Sequence, residues 1–167
     1  TFSRLQEALA SDNETQQIEA LHHLEEEKDT HAVEPVVALL RRTKSDRVVE
    51  HAAKLLARLG SEKALPALQE AAARDLDADL RCVGAHAILD LKDPAAFPLL
   101  IDILEKEEAK VPRQEAARLI SEHSGLQLEG AAGDDEAARK AAVEQARAWW
   151  KENGASLQWR GQKQRFE

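Results

Sequence analysis

The chain has 167 residues, 43% hydrophobic and 32% charged, enough apolar material for a continuous core within one domain. Its net charge of −8 and pI near 5.3 argue against a phosphate backbone as ligand, and a single cysteine, Cys82, excludes an internal disulfide. No run of 18 apolar residues and no charged leader followed by an apolar stretch occurs, so neither a membrane span nor a signal peptide is expected. The chain opens on Thr1 and holds no methionine, which reads as a fragment or processed form. The compartment stays open, with export after removal of an upstream segment among the expectations.

The predicted elements are helices. The first runs over Phe2–Ala10 and is broken by Ser11-Asp12-Asn13; the second begins near Thr15 and turns Ile18, Leu21 and Leu24 inward. Ala32–Arg42 and Arg47–Leu59 follow, the latter opened by Ser45-Asp46 and stopped by Gly60. A side-chain oxygen before a helix accepts its orphan N–H groups, and glycine after it takes the left-handed conformation. Glu62–Arg74 and Asp79–Leu91 make the next pair, then Asp93–Ala109 and Pro112–His123. Pro112 suits a first turn, where no N–H is needed. With Asp93-Pro94 opening its helix, Pro98 falls further in and predicts a bend. Cys82 falls in the second helix of the third pair, near the exposed side, and reads as a small helix residue.

These pairs repeat. Pro35, Pro66 and Pro98 sit in similar phrases 31 and 32 residues apart, and a fixed period of that length marks a repeat architecture. Ala53, Ala85 and Ala117 are 32 apart; Leu24, Leu56, Ile88 and Ile120 form a large column, and Ala20, Ala52, Gly84 and Ala116 a small one. Leu5, Val37, Leu68 and Leu100 align in the first helices. Small columns let helix axes approach while large ones fill the gaps. The expected fold is therefore all-α: a right-handed α-α superhelix, or solenoid, of about four helix pairs spanning 1–29, 30–60, 61–92 and 93–124.

The period ends after Ser124. Residues 125–134, with Gly125, Gly130 and Gly133, read as a flexible connection. A last helix follows, with Asp135 as N-cap, Asn153-Gly154 as stop, and an apolar side of Ala138, Ala142, Val143, Ala146, Trp149 and Trp150. Residues 135–167 hold all three tryptophans. The end of a stack needs an atypical cover, and Trp149, Trp150, Trp159 and Phe166 are expected to supply it.

The phrases Asp46-Arg-Val-Val-Glu-His-Ala-Ala-Lys-Leu-Leu-Ala-Arg-Leu-Gly60 and Ala64-Leu-Pro-Ala-Leu-Gln-Glu-Ala resemble bacterial HEAT repeats of the short, phycobilin-lyase-like type, over about Phe2 to Gly125. The ending Arg147-Ala-Trp-Trp-Lys-Glu-Asn153, with Leu157-x-Trp159 and Arg165-Phe166, is similar to the tail of bacterial HEAT-repeat proteins often exported from the cytoplasm. The resemblance implies a protein-binding scaffold, although fold alone does not assign function. A chromophore-lyase-like enzyme or enzyme subunit, or an architectural segment of a larger chain, are the alternatives. The dimetal hydroxylases among HEAT-repeat proteins imply repeated His-Glu dipeptides, whereas this chain has only the reversed Glu50-His51 and Glu122-His123, so no metal centre and no cofactor are expected. HEAT-like DNA glycosylases imply a basic groove, which an acidic chain does not suggest. No Ser-His-Asp set, P-loop or dinucleotide signature appears, and no enzyme activity is expected.

One constellation follows from the register. With Ala52, Leu55, Leu56 and Leu59 buried, position 54 lies on the opposite side of its helix. Its equivalents are His22, Lys54, His86 and Arg118, a row of basic or protonatable residues expected on the concave face. The adjacent column Glu26, Arg58, Asp90 and Glu122 is mostly acidic and offsets it, so ordinary surface ion pairing competes with a binding row. The expected partner is a protein or peptide, with an acidic segment fitting the row and imidazole protonation strengthening it in acid.

Overall fold

A computed structural model describes residues 2–74 and 77–167; Thr1, Asp75 and Leu76 lie outside it. Among the described residues there are nine α-helices: α1 Phe2–Ala10, α2 Glu14–Glu27, α3 Val33–Arg42, α4 Asp46–Leu59, α5 Leu65–Ala73, α6 Ala78–Asp90, α7 Ala96–Lys106, α8 Lys110–Ser124 and α9 Glu136–Asn153. A two-stranded antiparallel hairpin, β1 Trp159–Arg160 and β2 Arg165–Phe166, ends the chain.

The start signals act as side-chain caps. Asn13 accepts from the N–H of Gln16 at 3.0 Å, Ser45 from Val48 at 3.3 Å, and Asp135 from Ala137 at 3.0 Å. Gly60 closes α4 at φ 69° and Gly125 closes α8 at φ 79°, conformations that cost glycine little. The turn at Asp93-Pro94-Ala95, where Asp93 accepts the Ala95 N–H at 2.8 Å, delays α7 to Ala96. Pro98 therefore sits in the first turn, and the expected mid-helix bend has no cause. Gly154 also departs from expectation. Its φ is −53°, and a Cβ there would lie 2.9 Å from the Trp150 ring, so glycine is required by close approach and not by handedness.

The helices pack in two layers. The first helices, α1, α3, α5 and α7, each touch the next, as do the second helices α2, α4, α6 and α8. Successive second helices share more extensive contacts than successive first helices up to α7. Each pair rests on the next through a continuous core, the all-α solenoid that the period predicts. Leu24, Leu56, Ile88 and Ile120 are fully buried, as are Ala52 and Ala116. In the first helices the buried column is Val36, Leu68 and Leu100, while Val37 is only half-buried. The spacing of the packed column is thus 32 throughout, and the 31-residue step between the first two prolines misaligned it by one.

Small residues set the helix spacing unevenly. Ala53 and Ala85 are fully buried, whereas Ala117 is half-buried. Ala85→Leu is expected to overpack the stack and cost about 1–3 kcal/mol, and Ala117→Leu much less. Urea unfolding of the two variants checks this; equal midpoints for both would contradict the packing described.

A second column ties the repeats together. The Arg42 guanidinium donates to the carbonyls of Leu9 and Ser11 at the end of α1, and Arg74 donates to Leu40 O at 2.8 Å at the end of α3. Terminal helix carbonyls lack intrahelical partners, so an arginine 31–34 residues further on satisfies each set. Lys106 holds the next place in the column and lies 3.9 Å from Asp102 of its own helix; Arg139 from α9 donates instead to Glu107 O at 3.5 Å.

The C-terminal segment extends the two-layer plan. α9 packs on α7, where the first helix of a fifth pair would lie, and β2 packs on α8, in the place of a second helix. Within residues 125–134, Ala131 is 1% exposed, and the carbonyl of Ala132 accepts from buried Arg113 at 3.5 Å. The turn at Gly130, φ 71°, brings it so close to Ala138 that a Cβ would approach to 2.8 Å.

Candidate functional site

The four residues of the expected row lie one per second helix: His22 on α2, Lys54 on α4, His86 on α6 and Arg118 on α8. His22, Lys54 and Arg118 are exposed and His86 half-buried. The row is not a bare stripe of positive charge. Lys54 Nζ donates to Glu50 at 2.6 Å, His86 Nε2 lies 3.6 Å from Asp90, and Arg118 donates to both Glu115 and Glu122 at 2.6–2.9 Å. Asp90 and Glu122 belong to the acidic column that the register predicts; Glu50 and Glu115 do not. Arg58 of that column reaches across to Glu25 on α2.

The hydrogen bond from Lys54 holds the Glu50 carboxyl below its usual range, and that from Arg118 does the same for Glu115. The hydrogen bonds to Glu115 and Glu122 raise the Arg118 guanidinium in turn. Carboxylates lowered in this way remain charged in mild acid.

Histidines concentrate on this layer beyond the row. His22 meets His51 of α4 with ring centroids 4.8 Å apart, and His86 lies 6.4 Å from His123 of α8. His123 lies 6.3 Å from Trp159, whose ring also carries the Lys92 ammonium at 4.0 Å. Burial pushes the His123 imidazole down, partly offset by its hydrogen bond with Leu119 O at 3.0 Å. These pairings join different columns and leave no mark in the repeat register.

The aromatic residues converge on Phe97 of α7. Trp149, Trp150 and Phe166 place their rings 5.0, 6.1 and 5.5 Å from it, and Trp159 packs on Phe166 at 5.3 Å. Phe97 and Phe166 are at most 1% exposed, and the three tryptophans are half-buried. Phe97 stands next to Pro98 in the sequence, and its role follows from α9 and the hairpin meeting over it.

Cys82 is buried, 3% exposed, contrary to the expected position near the exposed side. Its Sγ faces Pro112 O at 3.7 Å, and burial, reinforced by Glu115 and Asp79, pushes the thiol up to about 12. A neutral buried thiol is a packing group, not a nucleophile. Among the described residues no three His, Cys, Asp or Glu side chains gather as a metal-ligand set, and no helix is long and apolar enough to cross a membrane.

A family model described as HEAT repeats matches residues 2–88, which span α1 to most of α6. No curated protein matches the chain.

Proposed function

We propose that the chain, which belongs to the HEAT-repeat family, is a non-catalytic scaffold that binds a protein or peptide on the exposed side of its second-helix layer. HEAT repeats commonly serve as protein-interaction scaffolds. The observation that carries the reading here is the recurrence of one cationic or protonatable residue per second helix, at equivalent positions on a face backed by a rigid core.

The favoured partner is an acidic segment. Lys54 and Arg118 are held by carboxylates that solvent still reaches, and exposed pairs of this kind contribute only about 0.2–1 kcal/mol, so a partner's carboxylates can exchange with them at small cost. The net charge of −8 repels an acidic peptide at long range, so binding depends on the row itself.

The test is a screen of the parent and the Lys54→Glu/Arg118→Glu variant against one pool of acidic peptides. The parent is expected to retain peptides that salt elutes and that the variant does not bind. Identical profiles would overturn this reading and turn attention to the loops between helix pairs or to the C-terminal hairpin.

A further inference from the structure

Two imidazoles face each other between the first and second repeats. His22 on α2 and His51 on α4 have centroids 4.8 Å apart with their planes at 65°. Hydrogen bonds or ion pairs among the described residues engage His31, His86 and His123, and leave the ring nitrogens of His22 and His51 uncommitted. His22 is exposed and His51 half-buried, so both are reachable from solvent.

The separation matches a shared ligand. With metal–nitrogen bonds of about 2.0–2.1 Å, two imidazoles on one ion have centroids roughly 4.5–5.2 Å apart for angles between square and tetrahedral at the metal. The His ring torsion is broad, so turning a nitrogen of each ring toward one point costs little. The pair at His86 and His123 lies outside that window at 6.4 Å, with His123 Nδ1 held at Leu119 O and His86 beside Asp90.

The electrostatic surroundings also admit a cation. The exposed side of α2 carries Glu19 one turn before His22 and Glu26 one turn after it. The cations of α4 nearest in sequence to His51 are already paired, Arg47 with Glu14 at 3.3 Å and Lys54 with Glu50 at 2.6 Å.

We propose that His22 and His51 form a two-imidazole site for a borderline divalent cation, Zn2+ or Cu2+, with water completing its shell. Imidazole suits both ions, and Cu2+ binds such ligands more tightly. With only two protein ligands the site is open and exchangeable, unlike the closed four-ligand sites that drive folding. The ion joins α2 to α4, so it stabilises the contact between the first two repeats by binding the folded state alone. This site does not rest on the partner-binding reading, and His51 lies outside the row.

The experiment is a calorimetric titration of the metal-stripped full chain with zinc chloride, alongside thermal melting. The parent is expected to bind one Zn2+ and to melt a few degrees higher with excess metal, as binding to the folded state requires. His51→Ala and His51→Gln should each weaken binding by about tenfold or more, since one of two ligands is gone, while His23→Ala should not. Circular dichroism confirms that the variants fold, and the glutamine variant preserves side-chain bulk. Absence of binding by the parent, or binding by both His51 variants as tight as the parent's, would overturn the proposal. Loss of binding in His123→Gln with retention in His51→Ala would do the same.

Discussion

Phe97→Ala is expected to cost about 3–5 kcal/mol, the range for removing a fully buried phenylalanine when the cavity left behind cannot collapse. Phe97 is 0% exposed and lies on α7, where two independent segments meet. Trp149 and Trp150 approach it from α9 and Phe166 from the hairpin, at 5.0, 6.1 and 5.5 Å. Truncation removes both the buried area and the edge-to-face contacts, each worth about 0.5–1.5 kcal/mol beyond area. Chemical unfolding followed by tryptophan fluorescence measures the loss and reports the tryptophans' exposure. Trp159→Ala provides the comparison: its ring is half-buried, and its effect should be clearly smaller. An unfolding midpoint for Phe97→Ala within error of the parent would show that the C-terminal segment is not stacked on this residue.

Deletion of residues 135–167 should have a larger effect. It removes α9 from α7 and β2 from α8 together, uncovering the ends of both layers. Phe97 and Leu104, at 0% exposure in the whole chain, would lose cover, and a contiguous apolar end promotes association. It also strips Glu107 O of Arg139, and Asp102 and Glu105 of Arg147, which bonds both at 2.9 Å. The truncated chain should sediment as an oligomer or unfold at much lower urea than the parent. A monomer of parental stability would mean that α9 and the hairpin are an appendage, leaving their aromatic residues free for a ligand.

The parts of the fold written in the sequence are those fixed by local chemistry. Asn13, Ser45 and Asp135 mark helix starts because their side chains satisfy amides within three residues, and Gly60 and Gly125 mark ends because their φ is positive. Where a helix ends on a lysine instead, as at Lys28 with φ 51°, no residue type announces the stop. The position of Pro98 depended on whether Asp93-Pro94 begins a helix or a turn, and the Asp93 side chain's bond to Ala95 N–H decides for the turn.

The candidate site was legible only in one dimension. Register places His22, Lys54, His86 and Arg118 on successive second helices, but their carboxylate partners depend on rotamers: Glu50 for Lys54, and Glu115 with Glu122 for Arg118. The pairing of His22 with His51 spans two helices at unequal column positions, so no repeat pattern contains it. Arg42 and Arg74 entered the sequence reading only as helix ends, and their reach back to the preceding repeat's carbonyls requires the stacked geometry. The hairpin strands, two residues each, are too short to carry a strand period.

The central claim, that a partner lies on the second-helix layer, is tested most directly by site-specific photocrosslinking. A photoreactive residue is placed at Lys54, exposed on α4, or at Glu70, exposed on α5 in the first-helix layer, and each chain is irradiated with an acidic peptide that the parent binds. Adducts formed from position 54 and not from position 70 are the predicted result. Adducts from position 70 alone would place the partner on the opposite layer and contradict the account.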